Sequence, residues 1–309
     1  MYNSNSAPSV VKTELDLVFN QEFSLEMLPG YASADTAAIF TPATTDRAAV
    51  ITEQFKGSGY FDTRDEQQDV QAGSPAVANQ KVFSVINYAK SIDISKNLMD
   101  DDQHSTIDKM VKNMARNARL TKSKEAFKVL NLGFTTALTN DGVALFSDSH
   151  VTIGGDTVDN KLTGTLTEAN LDTAFQQLIN QKTQDGTLGG HEPAVLIVPP
   201  ALFKAANIIA KSELRSGTGN NDLNYYSQLF PGLVIYQSPF LGAAYGGSDT
   251  AWFLFSKDHS LTRWVRQGLE TTMVPWQNQR NNNAIYKGEY REVVGAISFE
   301  GLVGSDGSA

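Results

Sequence analysis

The sequence predicts an α+β protein. Three observations carry that prediction. Between Ser105 and Leu130 the apolar residues Ile107, Met110, Val111, Met114, Ala115 and Ala118 recur every three or four positions, the period of one helix face. Two shorter stretches, "TEANLDTAFQQLINQK" (167–182) and "PALFKAANIIAKSEL" (200–214), keep the same period. Around them lie short runs rich in Val, Ile, Phe and Tyr, which fit a pleated surface better than a helix.

In chain order, residues 1–45 alternate apolar patches with Pro, Gly, Ser and Thr, and read as an extended arm with at most a short helix around Leu15–Phe19. "RAAVITEQF" (47–55) and "KVFSVINYAKSIDIS" (81–95) read as strands. Residues 57–79 between them are polar and acidic, far longer than the two to five or so residues a hairpin turn needs. Their large apolar side chains, Tyr60, Phe61, Val70 and Val77, are too few for a core. Their charges (Asp62, Arg64, Asp65, Glu66, Asp69) are four acids and one base, a sum of −3. Such a segment is expected to order on a neighbouring subunit.

The long helix is expected to start at a capping box, Ser105 with Asp108, and to stop near Gly133. In 167–182, Leu171, Phe175, Leu178 and Ile179 share the apolar face. "AVLIV" (194–198) reads as a buried strand, and Pro at its first turn starts the helix of 200–214. "LVIYQS" (233–238), "AWFLFS" (251–256) and "LTRWVRQG" (261–268) follow as strands, and 289–304 closes the chain as one or two more.

A chain of 309 residues with 41% apolar and 19% charged side chains can bury a sizeable core. With no cysteine, disulfides, thiolate nucleophiles and cysteine-held zinc are excluded. The N-terminus lacks the basic segment and apolar core of a secretory signal. No apolar run approaches the eighteen or so residues of a membrane span, so a soluble, internally retained protein is expected. The net charge of −9 disfavours a general nucleic-acid surface. The long helix is the exception. Lys109, Lys112, Arg116, Arg119, Lys122, Lys124 and Lys128 stand against Asp108 and Glu125, seven minus two, a local +5. This face is either solvated or meets a polyanion or an acidic partner.

Catalytic candidates are few. "SDSH" places Ser147, Ser149 and His150 together, the residue types of acyl transfer, but the G-x-S-x-G elbow is absent. A polar turn in which Asp148 and Ser149 bond their own backbone explains the stretch more simply. "DDDQH" (100–104) offers metal-ligand types, yet acids just before a helix are favoured by its N-terminus without any metal. His191 stands alone in a loop, and the glycine-rich 186–193 and 215–222 lack the endings of phosphate loops. No cofactor is expected.

Several stretches together resemble the major head proteins of tailed bacteriophages, the Mu-like head-subunit group, whose fold is named after phage Hong Kong 97. They are "MLPGYAS" (27–33), "LTNDGVALFSDSH" (138–150), "NKLTGTLTEANL" (160–171), "LIVPPALFKAA" (196–206), "NNDLNYY" (220–226), "GLVIYQSPFLG" (232–242), "GSDTAWFLFS" (247–256) and "YREVVGAISFEGLVG" (290–304). The resemblance implies an N-terminal arm (1–46), an extended loop hairpin (47–95) and a peripheral domain (96–164) with its spine helix at 103–132. An axial domain (165–260) and return strands of the peripheral domain (261–309) would complete it.

It further implies a non-enzymatic shell subunit, hexamers and pentamers in an icosahedral head around double-stranded DNA. Its partners would be copies of itself, a separate scaffolding protein, a portal and, optionally, a decoration protein, with no membrane. It would reside in the virion after assembly in the host bacterial cytoplasm. Inter-subunit contact would fall on Tyr60, Phe61, Asp62, Arg64, Asp65, Glu66, Asp69 and Val70. Lys109, Lys112, Arg116 and Arg119 would face DNA or a neighbour, and Ser216, Gly217, Thr218, Gly219 and Asn220 would form an axial loop. An encapsulin-type compartment shell shares the fold and is the alternative. A serine hydrolase on Ser147 or Ser149 with His150 is the remote one.

Overall fold

The N-terminal segment is not an extended arm throughout. In the computed structural model, which describes residues 7–25, 30–102, 105–214, 223–276 and 283–308, it begins with helix α1 (Pro8–Phe23). Pro8 sits at the first helical position, where its missing N–H costs nothing. Val11, Leu15 and Phe19, four apart, are buried against the long helix. Tertiary burial stabilises a helix that the Ser- and Pro-rich flanks concealed.

Beyond β1 (Thr41–Thr44), strands β2 (Ala49–Lys56) and β3 (Ala76–Ser84) form a two-stranded antiparallel hairpin. The expected single strand 81–95 is two. At Val85 the amide donates to Ala48 O (2.9 Å), and the chain leaves the hairpin to become β4 (Ile86–Ser95), which pairs with a different strand. The irregular loop is therefore 57–75, since 76–79 belong to β3.

After α2 (Lys96–Asp101) comes the long helix α3 (Thr106–Asn131). Its expected capping box is absent. Ser105 has φ 51° and makes no side-chain cap; instead the Asp102 carboxylate accepts from the amides of Thr106 (2.9 Å) and Ile107 (3.1 Å). Three short strands follow: β5 (His150–Val151), β6 (Thr157–Val158) and β7 (Lys161–Leu162). In α4 (Glu168–Ile179), capped by Thr167, Leu171, Phe175 and Leu178 are buried; Ile179, expected with them, is exposed.

The rest comprises β8 (Pro193–Val198), α5 (Pro200–Lys211), α6 (Tyr225–Leu229), β9 (Val234–Gln237), β10 (Trp252–Ser256), β11 (Leu261–Val274), β12 (Asn283–Ala296) and β13 (Leu302–Ser305). One sheet has the order β7-β13-β10-β8-β9 and the other β1-β11-β12-β4. The unbroken apolar runs of β8 and β10 now have their reason: both strands are buried on both faces. Val195, Ile197, Phe253 and Phe255 point into a core with Phe40, Phe127 and Phe146. Their neighbours Leu196, Val198, Trp252 and Leu254 point the other way, onto Leu171, Phe175 and Leu178 of α4. A third core joins α1 and the first half of α3 to Ile94, Ala284 and Tyr286 of the second sheet.

Candidate functional site

The serine–histidine stretch is built around Asp141. Gly142, at φ 81°, lets the chain turn, and the Asp141 carboxylate accepts from the Thr139 hydroxyl and the Val143 amide (3.0 Å). His150 is fully buried, its ring stacked on Phe299 with centroids 4.6 Å apart. Its Nδ1 lies 2.7 Å from Asp141 Oδ2 and its Nε2 3.2 Å from the Leu145 carbonyl oxygen. Burial pushes the Asp141 carboxyl up, but the bonds from His150, Thr139 and Val143 prevail and hold it below its ordinary value. The serines bond each other (Oγ–Oγ 3.0 Å), and the Ser149 amide donates to Ser147 Oγ (3.2 Å). Both imidazole nitrogens thus engage groups other than the serines. Ser147 Oγ, rather than Asp148, closes the turn.

Among the described residues no cluster of His, Asp and Glu is arranged to hold a metal; His104 lies outside them. His191 and His259 are buried, and burial pushes both imidazoles down. His259 donates from Nε2 to the Ala38 carbonyl (3.1 Å) and fixes the segment before β1.

The hairpin β2–β3 is exposed along one whole side. Register pairs Ile51 with Val82 and Phe55 with Val77, and all four are more than half exposed on its outer side. Its inner side carries Thr52, whose hydroxyl donates to Asn140 Oδ1 (3.1 Å), and Phe83, stacked on Trp264. The outer face, with its two apolar pairs on either side of Glu53 and Gln80, went unnoticed in the sequence, although Ile51, Glu53 and Phe55 alternate with the inward-facing Thr52 and Gln54. In the loop, Tyr60, Phe61, Asp62, Arg64, Asp65, Glu66, Asp69 and Val70 are all exposed, Phe61 entirely (103%). Two contacts tie the loop's start to the turn at 183–188: the Gly57 amide donates to Asp185, and the Leu188 amide to Tyr60 Oη (2.9 Å).

The basic face of α3 divides. Lys109, Lys112, Arg116 and Lys124 are exposed. Arg119 instead donates to the carbonyls of Glu22 and Leu25 at the end of α1, where a cation meets the negative pole of the helix. Lys122 turns inward to Asp35 (3.4 Å) and Glu292 (3.8 Å), both of which also meet Arg263. This four-residue cluster joins the segment before β1 to α3, β11 and β12. Burial pushes the Glu292 carboxyl up against the pull of Lys122 and Arg263, whereas in Asp35 the same two cations overcome burial and hold the carboxyl low.

Beside the exposed stripe runs a groove of about 540 Å³ between α3 and β4, lined by Phe19, Tyr88, Met110, Met114, Leu269 and Tyr290 among others. Tyr88 and Tyr290 stack at 4.9 Å, and burial together with Glu125 and Glu292 raises the Tyr88 phenol to about 12. The Tyr290 hydroxyl is buried without a hydrogen-bond partner among the described residues. The expected axial loop, Ser216, Gly217, Thr218, Gly219 and Asn220, lies outside the described residues. No described helix is long and apolar enough to cross a membrane.

Three comparisons with known proteins bear on the family and the fold. A family described as phage capsid protein matches residues 78–305. No curated protein sequence matches. Among solved structures, the capsid of a native GTA particle is similar at 10% identity and TM-score 0.58, covering 92% of this chain and 93% of that one. The bacteriophage PhiM1 mature capsid is similar at 15% identity and TM-score 0.55, covering 91% and 89%. The SrpI encapsulin complex of Synechococcus elongatus is similar at 12% and 0.54, covering 92% and 91%. At these identities the structures establish the shared Hong Kong 97-type fold.

Proposed function

The chain belongs to the phage capsid protein family, and from that premise we propose how this structural major capsid protein works. Its copies associate as hexamers and pentamers into a closed icosahedral head that encloses double-stranded DNA. Closed symmetry needs several distinct interfaces, and obligate ones bury roughly 2,000 Å² or more.

One observation carries this reading furthest: the outer face of β2–β3. A two-stranded hairpin is marginal by itself, and this one turns Ile51, Phe55, Val77 and Val82 to solvent. Two exposed apolar pairs flanking the Gln80–Glu53 hydrogen bond (2.6 Å) give a surface suited to being covered by another molecule. We take 47–95 as the extended loop and 1–46 as the arm, which includes the docked helix α1. The peripheral domain is 96–164, with the spine helix at 103–132, together with 261–309; the axial domain is 165–260. The α4 core lies mostly within 165–260, while the central core and the five-stranded sheet run across that boundary. We read the chain as non-enzymatic, assembled in a bacterial cytoplasm with a scaffolding protein, a portal and optionally a decoration protein. The encapsulin reading shares the fold, but the family match favours a phage head.

Excising 57–75 in favour of an Asn-Gly turn tests the proposal. The subunit should keep near-native circular dichroism and a cooperative melt, yet fail to close shells. Normal particles from the shortened chain would show that the loop is not an interface.

A further inference from the structure

We infer that the buried Asp141–His150 pair positions the β2–β3 hairpin: it fixes the turn on which the hairpin is mounted, and so the direction in which the hairpin leaves the subunit. The consequence for assembly rests on the shell reading above; the positioning itself does not.

The hairpin meets the body at three levels. At its base Phe83 stacks on Trp264, with centroids 4.9 Å apart, over Gly295, where any side chain would collide with the Phe83 ring. Two residues further out, the cross-strand pair Thr52–Lys81 reaches the turn at 138–144. The Thr52 hydroxyl donates to Asn140 Oδ1 (3.1 Å) and the Lys81 ammonium to the Leu138 carbonyl. Past the strand end, Gly57 and Tyr60 meet Asp185 and Leu188. Apolar contact is largely non-directional, whereas hydrogen bonds are not, so the middle level sets the angle about the base.

Leu138 and Asn140 owe their places to Asp141. Its carboxylate closes the turn on Thr139 and Val143 and bonds His150; the two side chains are 5% and 0% exposed. His150 Nδ1 faces that carboxylate and Nε2 the Leu145 carbonyl, and only a ring carrying both protons can donate to both. The contact is then charge-assisted, and removing one partner leaves the other buried without its counterpart. From the hairpin side Lys81 feels the same carboxylate: burial pushes its ammonium down against the pull of Asp141. Asp141 thus links His150 to the hairpin.

The far mount rests on the same seat. The Asn140 amide donates to Ile297 O (3.1 Å), and His150 stacks on Phe299. Gln184, next to Asp185, donates from its amide to Glu300 (2.9 Å) and from its side chain to Ser298 Oγ (3.3 Å). Both turns that hold the hairpin are therefore registered on residues 297–301.

Distances between two spin labels test this, and the chain has no cysteine to interfere. Val77→Cys near the far end of the hairpin and Lys124→Cys on α3, both exposed, carry the labels in the unassembled subunit. Asp185→Ala with Tyr60→Phe releases the far end, so the distance then reports the middle contact. From the Val50–Phe83 pair, Thr52 is two residues and Phe55, opposite Val77, five residues along β2, about 7 Å and about 17 Å. A shift of about 2 Å at the middle contact therefore appears as about 5 Å at the label.

His150→Phe keeps a ring on Phe299 but cannot donate, and should shift or broaden the distance distribution by that amount. Thr52→Val should do the same, and the two together no more than either, since they cut one path. His150→Gln, with one donating group, should give a smaller change of the same kind and serves if His150→Phe does not fold. Phe19→Ala, in a separate core, should leave the distribution unchanged. A distribution indifferent to both His150 variants, or one that Phe19→Ala broadens equally, would overturn the proposal. In assembly, His150→Phe should lower the yield of closed particles. A wild-type yield from a subunit with a broadened distribution would overturn the link to assembly. Absence of shells even from wild type would sink the shell reading instead, and the distances would still decide the positioning.

Discussion

Phe19→Ala tests whether the N-terminal segment is a docked helix. Phe19 is 1% exposed, edge-on to Tyr286 and stacked on Phe23, each at 6.2 Å between centroids. Truncating a buried Phe costs about 3–5 kcal/mol when a closed cavity remains. Here Phe19 lines the open groove, so the space left joins solvent and water can enter it. The cost should fall at the low end, about 3 kcal/mol. Leu17→Ala is the control: Leu17 is 71% exposed on the same helix, and its loss should stay within about 0.5 kcal/mol. Urea unfolding of the unassembled subunit gives both values, and hydrogen exchange should show protected amides across α1. A cost below about 1 kcal/mol for Phe19→Ala, with α1 amides exchanging freely, would return the segment to the extended arm its composition suggests.

Three further outcomes follow from the same geometry. Asp102→Ala should cost about 1 kcal/mol through loss of the α3 cap, whereas Ser105→Gly should be neutral or stabilising, because Ser105 sits at φ 51°; equal losses in thermal melts would contradict the cap assignment. Ser147→Ala and Ser149→Ala should cost about 0.5–2 kcal/mol as turn contacts go, with His150→Ala costing more, and no variant should change labelling by a fluorophosphonate; labelling lost with Ser147 or Ser149 would establish a nucleophile. The Asp141 carboxyl titrates lower folded than unfolded, so its stabilisation is complete above the ordinary carboxylate range and is lost as pH falls through the folded value. Asp141→Asn should therefore be less stable than wild type near pH 7, with the gap closing in acid; a constant gap across the titration would contradict this.

Much of the fold was legible because burial writes itself into local pattern. Leu171, Phe175 and Leu178 announced α4, and the unbroken apolar run of β8 announced a buried strand. What escaped was decided by contacts distant in sequence. Val11, Leu15 and Phe19 are spaced as a helix but need α3 to hold them, and Asp102 displaced Ser105 as cap because the chain enters α3 through a left-handed residue. The break at Val85 depends on two strands pairing with different partners. The charged cluster of Asp35, Lys122, Arg263 and Glu292 joins residues with no local signal, so the basic face looked larger than the exposed stripe that remains. The loop's acidity and the stripe's charge were both readable; that the groove lies beside the stripe was not.

The central claim is that this chain works as a repeating shell subunit, and negative-stain imaging of the purified wild-type protein and of particles containing it tests that most directly. Closed icosahedral shells of hexamers and pentamers are predicted. Material that stays monomeric at every concentration, with its assembly partners present, would contradict the account.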